Sequence, residues 1–107
     1  MDYQVIGYKV IDWLSDYWDV HPEVIFYPVY HKQIKCCGQS YEHDWELNTY
    51  VIEVSIDQSL RDFIATVVHE MVHVKQWLRQ SWWRDGEREA EKLQYKLADM
   101  FWKEGLI

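Results

Sequence analysis

Residues 59–80 read SLRDFIATVVHEMVHVKQWLRQ, and the reading of this stretch governs the reading of the rest. At 100° per residue, Leu60, Ile64, Val67, Met71, Val74 and Leu78 fall roughly 140–220° from the direction of His69, which is the apolar stripe of an amphipathic helix. Ser59 with Asp62 three positions on is a capping-box-like opening, so the pattern predicts a helix from Ser59 to about Gln80. The face away from the stripe carries the two histidines of His69-Glu70-Met71-Val72-His73, an H-E-x-x-H arrangement. Its two histidines lie about 40° apart and one turn from each other, so both imidazoles can converge on one ion. Glu70 sits about 100° from His69, placed to reach a metal-bound water rather than the metal. With this chain's own His and Glu frequencies the pattern would arise in about 2% of shuffled sequences, and its place opposite the apolar stripe lowers that chance further. Zinc is the expected ion, with Glu70 the expected catalytic carboxylate.

A catalytic zinc site keeps three protein ligands and an open position. No histidine follows His73, and position 79 is Arg79, which excludes the zincin variants that take a third histidine downstream. The remaining donors are Asp85, Glu87, Glu89, Glu91, Asp99 and Glu104. After a connection over 81–86, a last helix is expected from about Glu87 to Lys103, stopped at Gly105. On it Glu87 and Glu91 stand one turn apart on one face, whereas Glu89 points about 200° from Glu87. Leu93, Leu97 and Phe101 form a stripe adjoining the Glu87 face, and Ala90 permits close helix approach. A tight antiparallel hairpin brings Glu91 level with His73, whereas a crossing angle or an earlier helix start through Trp82-Trp83 brings Glu87 there. Both stay candidates for the third ligand.

Upstream, Ile6, Val10, Trp13, Leu14 and Tyr17 mark one face of a helix from Tyr3 to about Asp19, ended by His21-Pro22. Val24 to Tyr30, Ile34 to Tyr41 and Thr49 to Ile56 read as strands, the last with clean alternation, and residues 42–46 as a loop or hairpin end. The order α-β-β-β-α-α predicts one α+β domain over residues 1–107, with a small, mostly antiparallel sheet packed on the H-E-x-x-H helix.

The chain has 107 residues, 18 acidic and 11 basic, with a formal net charge of -7. That balance, without a Lys/Arg run, argues against nucleic acid or an anionic membrane as partner. No apolar stretch approaches the roughly 18 residues of a spanning helix, and the start lacks the features of a secretory signal, so a soluble, cytoplasmic protein is expected. Residues 1–57 carry ten acidic side chains and three lysines, while 58–107 carry eight of each sign. An acidic first half would bias a cleft towards cationic peptides. Seven Trp and eight Tyr let a short chain bury much apolar area. Cys36 and Cys37, adjacent and ill-suited to a disulfide, are expected as reduced, buried strand residues.

Residues His69 to Gln76, with Glu87-x-x-Ala90-Glu91, resemble the gluzincin-type metalloproteases, in particular their minimal single-domain members, the minigluzincins. The resemblance covers about residues 66–98. It implies a zincin-like fold, a peptide or protein substrate, Glu87 as third zinc ligand and Glu91 as a carboxylate orienting one of the histidines. Glu70 would serve as general base for a metal-activated water, and Thr49 to Ile56 would be the edge strand along which an extended peptide lies. A zinc-binding but non-peptidolytic regulatory or interaction domain is the alternative, followed by a metal-free interaction module. His21, His31 and His43 are expected as surface or hydrogen-bonded histidines. Trp77, Trp82 and Trp83 are expected to pack the helix hairpin, and Tyr95 to be structural, with an oxyanion donor as its other reading.

Overall fold

The structure, a computed structural model, describes residues 1–30, 33–34, 36–81 and 86–106. The elements follow the expected order: α1 (Tyr3–Trp18), β1 (Glu23–Val29), β2 (Gly38–Glu42), β3 (Thr49–Ser55), α2 (Leu60–Arg79) and α3 (Glu87–Lys103). Asp2 caps α1 by accepting from the Val5 amide, and Ser59 caps α2 by accepting from the Asp62 amide. Helix α1 stops before the proline, because Asp19 turns into the left-handed region at φ 52° and the amides of Asp19 and Val20 close back on Asp16 and Ser15. Its inner face is Ile6, Gly7, Val10, Ile11 and Leu14, while Tyr17 is exposed and stacks on Trp13 at 5.5 Å.

The sheet departs from expectation. Its order is β1-β3-β2, with β1 parallel to β3 and β2 antiparallel to β3, so it is mixed rather than mostly antiparallel. Only β2 and β3 form a hairpin. The chain leaves β1, passes to the far side of β3's position, returns along β2 and then fills the centre, so β1 and β3 run the same way. Strand β3 is therefore central, not an edge, consistent with a sequence buried at six of its seven positions. The edge strands are β1 and β2. Pairing of β2 starts at Gly38 opposite Val54, which leaves Cys36 and Cys37 ahead of the strand, free and exposed rather than buried within it.

Helix α2 contacts the sheet, α1 and α3, and its burial is correspondingly wider than the predicted stripe: Phe63, Val68 and Val72 are buried along with Ile64, Val67, Met71 and Val74. Helix α3 packs on α2 through Ala90, Leu97, Ala98 and Phe101. Aromatic rings carry much of the core. Phe26 meets the edges of Tyr8 and Phe63, and Trp77 stacks on Tyr50 of β3 at 5.7 Å, which makes it a packing residue. Trp82 and Trp83 lie outside the described residues. Among the described residues no helix is long and apolar enough to cross a membrane.

Helix α1 approaches β1 at Gly7, where a Cβ would overlap the Phe26 ring. Phe26 is fully buried and cannot swing away into solvent. Helix propensity alone favours alanine over glycine by about 1 kcal/mol. Gly7→Ala is nevertheless expected to destabilise the fold by about 1–3 kcal/mol through overpacking, read as a lower denaturant midpoint; a higher midpoint would contradict the close packing.

Candidate metal centre

Helix α2 presents His69 and His73 one turn apart, with ring centroids 5.1 Å from each other. Helix α3 starts at Glu87, so the first carboxylate after the interhelical connection faces both rings. Glu87 Oε2 lies 3.1 Å from His69 Nε2, and Glu87 Oε1 lies 2.7 Å from His73 Nε2. Ligand atoms of these three residues all fall within 4.8 Å of one another, the one such group among the described residues. Glu91, the other candidate from the sequence, is exposed and outside the group. The two helices approach closely because Ala90 is fully buried between them, and because Gly86, at φ 78°, occupies a position where a Cβ would overlap the Gln76 amide.

The orienting partners of the histidines are two glutamines, not Glu91. Gln94 Oε1 lies 2.6 Å from His69 Nδ1, and Gln76 Oε1 lies 2.9 Å from His73 Nδ1. The Gln76 orientation is fixed independently, since its amide nitrogen donates to Gly86 O at 3.0 Å and to Glu89 Oε1 at 2.9 Å. An amide oxygen only accepts, so His73 Nδ1 carries the hydrogen. Nε2 of a neutral His73 is then a lone pair aimed at a carboxylate oxygen. Such a contact is repulsive unless positive charge lies between the two atoms, as a proton on the ring or as a cation. Two imidazole nitrogens and one carboxylate are the donor set of an open zinc site. Tetrahedral ligands at zinc distances sit about 3.3 Å apart, near the two contacts that Glu87 makes.

Glu70 is only 6% exposed. Its Oε1 accepts a 2.6 Å hydrogen bond from Ser40 of β2, a residue that no motif singles out. Burial pushes the Glu70 carboxyl above its ordinary range; the Ser40 hydroxyl and the two histidines pull it down, but desolvation prevails. Beside the group opens a cleft of about 540 Å³. Its wall on the β2 side is Cys36, Cys37 and Gly38, and its acidic lining residues among those described are Asp62, Glu70 and Glu87. The acidity of the cleft thus comes from α2 and α3 and not from the acidic first half of the chain.

Other candidates stay apart from the group. Tyr95 borders the cleft, but its hydroxyl donates to Asp62 Oδ1 at 2.7 Å and the Arg61 guanidinium lies 4.4 Å from the ring centre. His21 is exposed beside Asp19, and His43 Nδ1 accepts from the Glu46 amide at 3.1 Å in the β2–β3 loop. His31 lies outside the described residues. No family model matches the chain, and no curated protein or solved structure matches it.

The raised Glu70 pKa has a stability consequence. Between the unfolded and the folded value the folded protein holds more protons, so stability falls as pH rises through that window. Glu70→Gln keeps an oxygen for Ser40 and removes the buried charge. The metal-free variant is expected to melt above the metal-free wild type in mildly alkaline buffer, with the gap closing as pH falls towards the ordinary carboxylate range. A gap that widens on acidification would reverse this assignment.

Proposed function

We propose that this protein is a zinc-dependent peptidase of the gluzincin type, with His69, His73 and Glu87 holding the ion and Glu70 handling the proton. The observation that carries this reading is the convergence of His69, His73 and Glu87, the donor set of an open zinc site, on an H-E-x-x-H helix beside a buried carboxylate. When bound, zinc supplies Lewis-acid chemistry, acidifying water and polarising a carbonyl. Glu70, with its affinity for protons raised by burial and one oxygen held by Ser40, accepts a proton from the attacking water and delivers it to the leaving amine nitrogen. Strand β2, paired to β3 on one side only, offers a free edge where an extended peptide can be laid. The acidic lining of the cleft favours peptides with basic side chains.

The second reading, a zinc-binding domain that recognises a partner without cleaving it, is favoured by the shortness of β2. A five-residue edge offers few peptide contacts.

Both readings expect one zinc per chain, lost in Glu87→Ala and kept in Glu91→Ala, as measured by metal analysis after gel filtration. Peptidase activity on a library of basic peptides should fall by about two to four orders of magnitude in Glu70→Gln with zinc retained. Stoichiometric zinc without cleavage in the wild type would select the second reading. Failure of the wild type to bind zinc at micromolar concentration would refute both.

A further inference from the structure

Glu89 points away from Glu87 along α3, yet it is tied to the same group by a longer route. Its Oε1 accepts from the Gln76 amide at 2.9 Å, and its Oε2 lies 3.5 Å from Lys75 Nζ. Lys75 is only 9% exposed, and its ammonium lies 4.9 Å from the centre of the Trp18 ring at the end of α1. Gln76 is only 2% exposed, with both donor positions used, on Gly86 O and Glu89, and its oxygen turned to His73. Turning the amide over would set its oxygen against two oxygens and its hydrogens against the His73 Nδ1–H. The amide therefore has one stable orientation, and the imidazole one compatible tautomer.

We propose that Lys75, Glu89 and Gln76 form a positioning relay that holds His73 in the Nδ1–H tautomer with Nε2 aimed at Glu87. The inference rests on the reading of the three-residue group as a metal centre, and it assigns the role that the gluzincin resemblance implied for Glu91 to a different set of side chains. Lys75 balances and orients the Glu89 carboxylate, the carboxylate draws on the Gln76 hydrogens, and the polarised amide oxygen becomes a better acceptor for His73. A histidine whose second nitrogen donates to such an acceptor is both better aimed and more basic as a ligand. The relay also joins the ends of α1 and α2 to the start of α3, so the imidazole is oriented from three helices.

Two readouts test the relay. In the metal-free protein at alkaline pH, the imidazole nitrogen shifts of His73 report its tautomer; Nδ1 is expected to carry the hydrogen in the wild type and to lose that preference in Gln76→Leu. Zinc affinity, measured by competition with a chromophoric chelator, should fall by about 10–100-fold in Gln76→Leu. Glu89→Ala, a change at a half-exposed side chain, should move both readouts in the same direction by a smaller factor. Glu89→Gln, which keeps an acceptor oxygen, should lie nearer the wild type. An unchanged tautomer and unchanged affinity in Glu89→Ala and Gln76→Leu would overturn the relay even if zinc binds. If the wild type binds no zinc, the metal reading fails, and the tautomer measurement still decides the relay.

Discussion

Glu87 turns both of its oxygens towards imidazole nitrogens, and at His73 the ring hydrogen is held on the far side by Gln76; much of the chain's local architecture serves that opposition. The H-E-x-x-H spacing puts the two rings on one side of α2. Gly86 and Ala90 let α3 come close enough for its first residue to face them. Gln76 and Gln94 occupy the Nδ1 atoms, so that each Nε2 faces Glu87. Acceptors held against one another at such distances require positive charge between them, as a ring proton or as a cation.

Much of this was legible from residue spacing, and the limits of that reading have physical causes. Helical periodicity fixes which residues share a face, so His69, Glu70, His73 and the α1, α2 and α3 segments were readable from the chain itself. The choice between Glu87 and Glu91 depends on how two helices cross and where the second one starts, which periodicity within either helix does not encode. The orienting glutamines were missed for a related reason. A neutral amide carries no charge signature, and its importance lies in a partner on another element. Glu89 was read as facing another side of α3, which is true of its direction; at the start of α3 that side meets the end of α2.

The sheet shows the same division between local and non-local information. Alternation identified β3, but the direction of pairing follows from the route taken by the chain between β1 and β3. Because β3 is central, β2 is the strand that borders the cleft and supplies Ser40. The acidic excess of the first half behaves differently from the site. Asp12, Asp16, Asp19, Glu23, Asp44 and Glu46 are all exposed, so that part of the charge is solvated surface, whereas the carboxylates of the cleft belong to the helices.

The parallel pairing of β1 with β3 also bears on the order in which the chain assembles. Partners such as Glu23 and Thr49 are 26 residues apart, and Ser40 reaches Glu70 across 30. The contacts of Glu87 with His73 and His69 span only 14 and 18. Loop-closure entropy favours the shorter spans, so the α2–α3 hairpin can gather its ligands before the sheet is complete. On that order the His69, His73 and Glu87 group is a product of local folding, and the buried Glu70 carboxylate receives its Ser40 partner from the sheet afterwards.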